Sequence, residues 1–252
     1  MIAKASVEAV KVADEMLNCP HSLKYLSQQG KQPLNPELRG AHNDGCGIAF
    51  VNGSGLTIEK RGKENSWDAS YIDLVNKAQS KIFIAHNRLA SAFLKGNMDS
   101  AKSHPYKKDG FAFCHNGGIE GFKEEANALQ VTDSAIFLDK IISEDEPNIT
   151  QTIRERIEEV AETTPYTSMC GLLMNHEDLY VWRLYNDKHA ENDVQRYEEY
   201  YTLYILRRGE NEVVISSEPL TDEPWEKIPN KTFLEITPCK EKVNINIHHL
   251  DV

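Results

Sequence analysis

Four short polar segments interrupt otherwise apolar stretches of this sequence: Asp44-Gly45-Cys46-Gly47, His86-Asn87-Arg88, His115-Asn116-Gly117-Gly118 and Thr132-Asp133-Ser134. Arg88 follows a run of apolar residues, and a guanidinium offers a planar fork of donors that matches a carboxylate. It could equally close a structural salt bridge. Asp133 precedes an apolar helical pattern, where an acidic residue either caps the helix or accepts from a ligand ammonium. Arg88 and Asp133 together would hold an α-amino acid by both charged ends. Asn116 and Gly117 can supply a side-chain amide and a backbone N–H, a donor pair suited to an oxyanion hole, or they can form an ordinary Asn-Gly turn.

Other chemistry finds less support. The glycines at 45, 47, 53 and 55 fit neither a dinucleotide-binding nor a P-loop pattern, and no GxSxG elbow occurs. Cys46 and Cys114 lie in apolar stretches, where free cysteine behaves as a small buried hydrophobe. His42, His86, His104 and His115 are possible bases or backbone partners. No HExxH is present, and the adjacent His248 and His249 would point to opposite faces of a strand. No metal and no cofactor is expected.

The elements that position these segments can be read from periodicity. Gly47–Val51 and Leu56–Lys60 form a hairpin around Asn52-Gly53-Ser54-Gly55. Lys81–His86 and Gly110–His115 are strands that deliver His86 and His115 to their ends. Ser134–Ile142 is a helix capped by Thr132 or Asp133, Ala69–Ala78 and Thr152–Glu162 are helices, and Gln28–Asn43 is a loop. Val7–Leu17 has helical spacing, and a short strand over Ile2–Ala5 precedes it. Six strands fill the last third, over Ser168–Met174, Leu179–Leu184, Tyr201–Leu206, Glu212–Ser216, Phe233–Ile236 and Val243–Ile247. The hairpin-linked strands imply antiparallel sheets with helices over them, a layered α+β domain. No linker or repeat stands out, so residues 1–252 are expected to form a single domain.

The composition bounds the partners. The chain has 252 residues, 40% of them apolar, and a formal charge of -11 from 39 acidic and 28 basic residues. Nucleic-acid binding leans on Lys and Arg, so it is not expected. No run of about 18 apolar residues occurs, and no membrane span is expected. The odd count of five cysteines, without a CxxC pair, argues against a disulfide framework and for a cytoplasmic setting.

Taken in order and spacing, the segments resemble the class-II glutamine amidotransferases, in particular their small stand-alone group. Asp44-Gly45-Cys46-Gly47-Ile48-Ala49 is similar to the family's DGxGIA stretch, and Ala85-His86-Asn87-Arg88 to its HxR stretch. His104-Pro105-Tyr106 is similar to its HP-aromatic, Phe113-Cys114-His115-Asn116-Gly117 to its HNG, and Thr132-Asp133-Ser134 to its TDS. A weaker similarity returns at Ser216-Ser217-Glu218-Pro219-Leu220. The resemblance implies a four-layer αββα sandwich of two antiparallel sheets covered by helices, of the N-terminal-nucleophile hydrolase type. It implies that Arg88 binds the α-carboxylate of glutamine and Asp133 its α-ammonium, that His86 belongs to the substrate site, and that Asn116 and Gly117 form the oxyanion hole. It also implies an N-terminal cysteine that forms a glutamyl thioester with its own α-amine as base, and ammonia passed to an accepting partner protein.

The sequence departs from that pattern at two places. It opens Met1-Ile2-Ala3-Lys4, and its first cysteine is Cys19. A thioether cannot replace a thiolate. The expectation is that the nucleophile lies upstream of Met1 and that this chain does not hydrolyse glutamine. Two alternatives keep the clamp: a non-catalytic amino-acid-binding domain, or a hydrolase of another γ-glutamyl compound such as glutathione. The second departure is Leu89, where the family often has an aromatic.

Overall fold

The computed structural model describes residues 1–90, 98–143, 147–188 and 191–252. In chain order the first half contains β1 (Ile2–Lys11), α1 (Leu23–Gln29), β2 (Gly30–Lys31), β3 (Arg39–Gly40), β4 (Gly45–Asn52), β5 (Gly55–Gly62), α2 (Ala69–Lys77), β6 (Gln79–Asn87), β7 (Tyr106–Lys108) and β8 (Phe111–Ile119). The second half contains α3 (Lys123–Leu129), α4 (Asp133–Ile141), α5 (Ile149–Thr163), β9 (Tyr166–Met174), β10 (Leu179–Arg183), α6 (Glu191–Tyr200), β11 (Tyr204–Arg208), β12 (Glu212–Ser216), β13 (Glu226–Lys227), β14 (Thr232–Pro238) and β15 (Val243–His249).

Two antiparallel sheets stack face to face. One has seven strands in the order β13-β11-β12-β1-β6-β4-β5, and the other has six in the order β15-β14-β10-β9-β8-β7. Alternation along each strand sends one set of side chains between the sheets and the other outward. Ala3, Ala5, Ile82 and Ile84 meet Cys114, Cys170, Leu172 and Val181 in the inner layer. The outer face of the seven-stranded sheet, with Ile2, Ile48 and Phe83, takes Leu23 and Leu26 of α1 and Tyr71 and Val75 of α2. The outer face of the six-stranded sheet, with Phe113, Trp182 and Phe233, takes Phe137 and Ile141 of α4 and Ile153 and Ile157 of α5. Helix, sheet, sheet, helix is the αββα sandwich expected from the sequence.

The first element differs from expectation. Val7–Leu17 is not a helix: β1 runs through Lys11 in the centre of its sheet, and only a short π-helical turn, Asp14–Asn18, follows. Ile2 pairs with Ser216 on one side and Ala85 on the other. Lys4 is buried within this strand. It survives there because its ammonium meets Glu15 at 2.8 Å and Glu212 at 3.1 Å, and Arg208 joins the same two carboxylates at 3.1 and 2.7 Å. A buried charge is tolerated when it is paired. The expected loop over Gln28–Asn43 carries the two-stranded ribbon β2–β3. The helices α3 and α6 and the short strands β7 and β13 were not anticipated.

Candidate active site

Three strand ends converge at the open edge between the sheets. The register that pairs Ile2 with Ala85 and Ser216 puts Met1 beside the ends of β6 and β12, and the Met1 carbonyl accepts the Ser217 backbone N–H at 3.0 Å. His86 and Asn87 close β6, and Arg88 follows with its N–H on the Gly45 carbonyl at 2.8 Å and its carbonyl on the Asp44 N–H at 3.0 Å. The DGxG stretch thus holds the arginine's backbone. Gly47 is required for a second reason: a Cβ there would overlap the carbonyl oxygen of His104.

A cleft of about 760 Å³ opens here, and Arg88, His86, Asn116, Gly117 and Asp133 all line it. Residues far apart in sequence are brought to one place. Arg88 is 5% exposed, and neither Nη1 nor Nη2 has a hydrogen-bond partner among the described residues. The salt bridge left open by the sequence is not made to any of them. Asp133 is the first residue of α4 and not its cap. Thr132 caps the helix, its Oγ1 accepting the Ala135 N–H at 3.2 Å. The Asp133 carboxylate accepts from the Ile119 N–H at 2.9 Å and the Ser134 N–H at 3.0 Å. Two backbone donors fix the group and leave lone pairs for the cleft.

Asn116 and Gly117 lie within β8, so the Asn-Gly turn is not formed. Asn116 pairs with Cys170 and Gly117 with Met169. By alternation the Asn116 side chain points between the sheets, on the side of Met1. No side chain fits at Gly117, where a Cβ would overlap the Ser168 carbonyl.

The histidines divide into two kinds. His115 is fully engaged, with Nδ1 2.9 Å from Ser134 Oγ and Nε2 3.2 Å from the Ser168 carbonyl. A carbonyl only accepts, so Nε2 carries the proton and Nδ1 receives the serine hydroxyl. This ring ties β8 to α4 and β9. His86 and His104 are the other kind. Their rings lie 4.4 Å apart, and His86 Nδ1 and both His104 nitrogens lack partners among the described residues. Burial holds both well below the usual imidazole range. His104 adds to the effect on His86, and His115 and Arg88 add to it on His104. They are neutral walls at neutral pH.

Around the head of β1 a smaller chamber is lined by Met1, His42, His86, Asn116, Ser217 and Glu218, among others. The Met1 α-amine donates to Ser217 Oγ at 3.0 Å. Burial pushes it down to about 6, against the opposing pull of Cys114 and Glu218. Among the described residues no cysteine lines the cleft or this chamber. Cys46 and Cys114 are buried, and burial raises both thiols above their ordinary range.

The sequence profile of the family described as class-II glutamine amidotransferases matches residues 23–238. The chain belongs to this family. Solved structures share the fold at 16% sequence identity. A glutamine phosphoribosylpyrophosphate amidotransferase from Bacillus subtilis, complexed with ADP and GMP, matches all of this chain with a TM-score of 0.64. This chain spans 49% of that protein. A class-II domain protein from Silicibacter pomeroyi is covered at 100% of this chain and 99% of its own, with a TM-score of 0.60. A predicted glutamine amidotransferase from Pseudomonas aeruginosa is covered at 96% and 98%, with a TM-score of 0.54. Comparison with curated proteins gives no match.

Several cleft residues escaped the sequence reading. Tyr200 at the end of α6 and Tyr201 just after it reach the cleft; the polar texture of the helix hides Tyr200, and the sequence reads Tyr201 as the head of a strand that begins only at Tyr204. Ser134 stands within the Thr132-Asp133-Ser134 segment without its role as a partner of His115, and nothing local marks Ser168, whose carbonyl takes the other ring nitrogen. Among the described residues no group of three or more His, Cys, Asp or Glu is placed to hold a metal ion. None of the described helices is long and apolar enough to cross a membrane.

Proposed function

We propose that the cleft binds L-glutamine, or a related γ-glutamyl compound, as the donor site of a glutamine amidotransferase, with residues 1–252 acting as one domain. Arg88 takes the α-carboxylate and Asp133 the α-ammonium. His86 walls the γ end, and Asn116 and the Gly117 N–H receive the oxyanion that develops on the γ-carbonyl. The observation that carries this reading is Arg88: a buried guanidinium whose Nη1 and Nη2 have no partner among the described residues and which opens on a cleft with a fixed carboxylate. A buried cation is costly unless an anion meets it, and the α-carboxylate of an amino acid supplies that anion.

Amide hydrolysis further needs a thiolate at the head of β1, between the α-amine and the oxyanion donors. With Met1 there, the cleft binds glutamine without turning it over. An active form is proposed to present a cysteine thiol at that place and to deliver ammonia to a partner protein. In that form the α-amine would take the thiol proton, the sulfur would attack the γ-carbon, and the α-ammonium would return that proton to the γ-nitrogen as ammonia leaves the collapsing tetrahedral intermediate. Water then would release glutamate from the thioester.

Isothermal titration tests the binding step. L-glutamine should bind the chain with 1:1 stoichiometry, and Arg88→Ala should abolish it. Ammonia release by this chain above a no-enzyme control, lost in Arg88→Ala, would overturn the non-hydrolytic part of the reading. Competition of glutamine by glutathione distinguishes the two donor classes.

A further inference from the structure

The dipeptide Ser217-Glu218, just past β12, touches two separate parts of the site. Ser217 Oγ accepts from the Met1 α-amine at 3.0 Å, and the Ser217 N–H donates to the Met1 carbonyl at 3.0 Å. The next residue, on the same chamber, reaches a different element. Glu218 Oε1 accepts the Lys31 backbone N–H at 3.0 Å, and Glu218 Oε2 is ion-paired with Arg39 Nη1. Lys31 and Arg39 are opposite one another in the ribbon β2–β3. One carboxylate therefore grips both strands of the ribbon.

The ribbon is the roof of the site at its γ end. Gly30, Lys31 and His42 line the chamber around the head of β1, and the loop between its strands gives Gln32, Leu34 and Leu38 to the larger cleft. His42 Nε2 lies 2.8 Å from the Lys31 carbonyl and so fastens the ribbon's far end. Lys31 Nζ reaches the Glu199 carbonyl at 3.1 Å, next to the cleft residues Tyr200 and Tyr201. The loop has little packing of its own: Leu34 is 83% exposed and Leu38 59% exposed. A two-residue ribbon pair has too few ladder bonds to stand alone. Glu218, 9% exposed, is the anchor that ties it down.

We propose that Glu218 is a positioning residue: it clasps the β2–β3 ribbon over the γ end of the glutamine cleft, and it couples that roof through Ser217 to the head of β1. The roof controls how fast ligand escapes and shields the γ-carbonyl from water. The ligand-binding half of this inference rests on the glutamine reading above, and the clasp itself does not.

Hydrogen exchange and binding kinetics on Glu218→Gln and Arg39→Gln separate these parts. The Glu218→Gln side chain keeps an acceptor for the Lys31 N–H and loses the ion pair. Arg39 is half-exposed, so its replacement leaves the core untouched. The expected result is at least tenfold faster exchange of amides 30–42 in both variants, with α4 and β8 amides unchanged. L-glutamine dissociation should rise at least fivefold with association changed less than twofold. Unchanged exchange in the Arg39 variant overturns the clasp. Faster exchange with unchanged dissociation overturns the roof. If the wild-type protein shows no glutamine binding, the donor-site reading fails, and the exchange arm still decides the clasp.

Discussion

Replacing Arg88 by methionine should raise stability while sharply weakening binding. Arg88 brings two unpartnered Nη groups into a site where the residue is 5% exposed. A buried unsatisfied polar group costs about 1–3 kcal/mol, more when charged. Methionine keeps the stem's apolar volume and removes the orphan donors, so the ligand-free variant should gain roughly 1–2 kcal/mol. For a chain of this size each kcal/mol moves Tm by about 2–4 °C, which gives a rise of roughly 2–8 °C. In the complex the balance reverses. Truncating one side of a buried, hydrogen-bonded charge pair costs about 2–5 kcal/mol, or roughly 30-fold to a few thousand-fold in Kd. Thermal melts followed by circular dichroism, with and without L-glutamine, measure both effects. Wild type should melt higher with ligand, by about 2.7 kcal/mol of stabilisation at a hundredfold excess over Kd, and the variant should show at most about 0.9 kcal/mol at the same ligand concentration. A Tm that falls by several degrees in Arg88→Met without ligand would refute the reasoning, because it would mark the guanidinium as a structural ion-pair member.

Asp133→Asn should weaken glutamine binding by roughly ten- to a hundredfold, through loss of a charge-assisted bond to the ammonium worth about 1.5–3 kcal/mol. Its Tm should fall only slightly, since the amide oxygen still accepts from a backbone donor; titration calorimetry and melting check the two sides. Gly117→Ala should be among the most damaging single changes, because its Cβ would overlap the Ser168 carbonyl and overpacking costs about 1–3 kcal/mol; urea unfolding reads it. Stability should also fall in mild acid. His86 and His104 have folded-state values well below the ordinary one, so the unfolded chain binds more protons below about pH 6.5. Their contribution is complete above about pH 6.5 and is lost as pH falls from there toward the folded-state values. The loss is up to about 1.4 kcal/mol per pH unit for each ring. Urea titrations at about pH 7 and about pH 5, on either side of the ordinary imidazole value, should show a smaller difference in His104→Asn than in wild type.

Most of the sandwich was legible because its strands carry their own signals. The hairpin of β4 and β5, the apolar run of β6 and the capped start of α4 need only local information, and each formed where the sequence placed it. β1 was not legible for a physical reason. Its partners, Ala85 and Ser216, lie 83 and 214 residues from Ile2, and a strand covered on both faces loses the alternation that identifies one. Lys4 strengthened the misreading, since a lysine inside a central strand makes sense only once Glu15 and Glu212 are seen beside it. Val7 and Val10 then matched a helical period by coincidence. The helix α6 failed in the opposite way: its polar sequence offers little apolar stripe to read.

For the site, the individual residue types were readable and their isolation was not. Sequence alone leaves Arg88 divided between a salt bridge and a ligand fork, and Asp133 between a cap and a ligand acceptor. The folded chain removes one option from each. Thr132 takes the capping bond, which releases Asp133, and no described carboxylate reaches Arg88. Asn116-Gly117 follows the same logic, since residence in β8 replaces the turn and leaves the amide side chain with none to stabilise. The salt bridge and the turn are not formed among the described residues, and the cap passes to Thr132 while the Asp133 carboxylate fixes the Ile119 and Ser134 N–H groups. A polar residue held by its backbone, buried, and relieved of any structural task is costly to the fold unless something outside the chain completes it. Arg88 meets that condition in full; Asn116 and Asp133 are half-buried, and what they add is their place on the same cleft, which together makes a stronger argument for a ligand than any of the motifs taken singly.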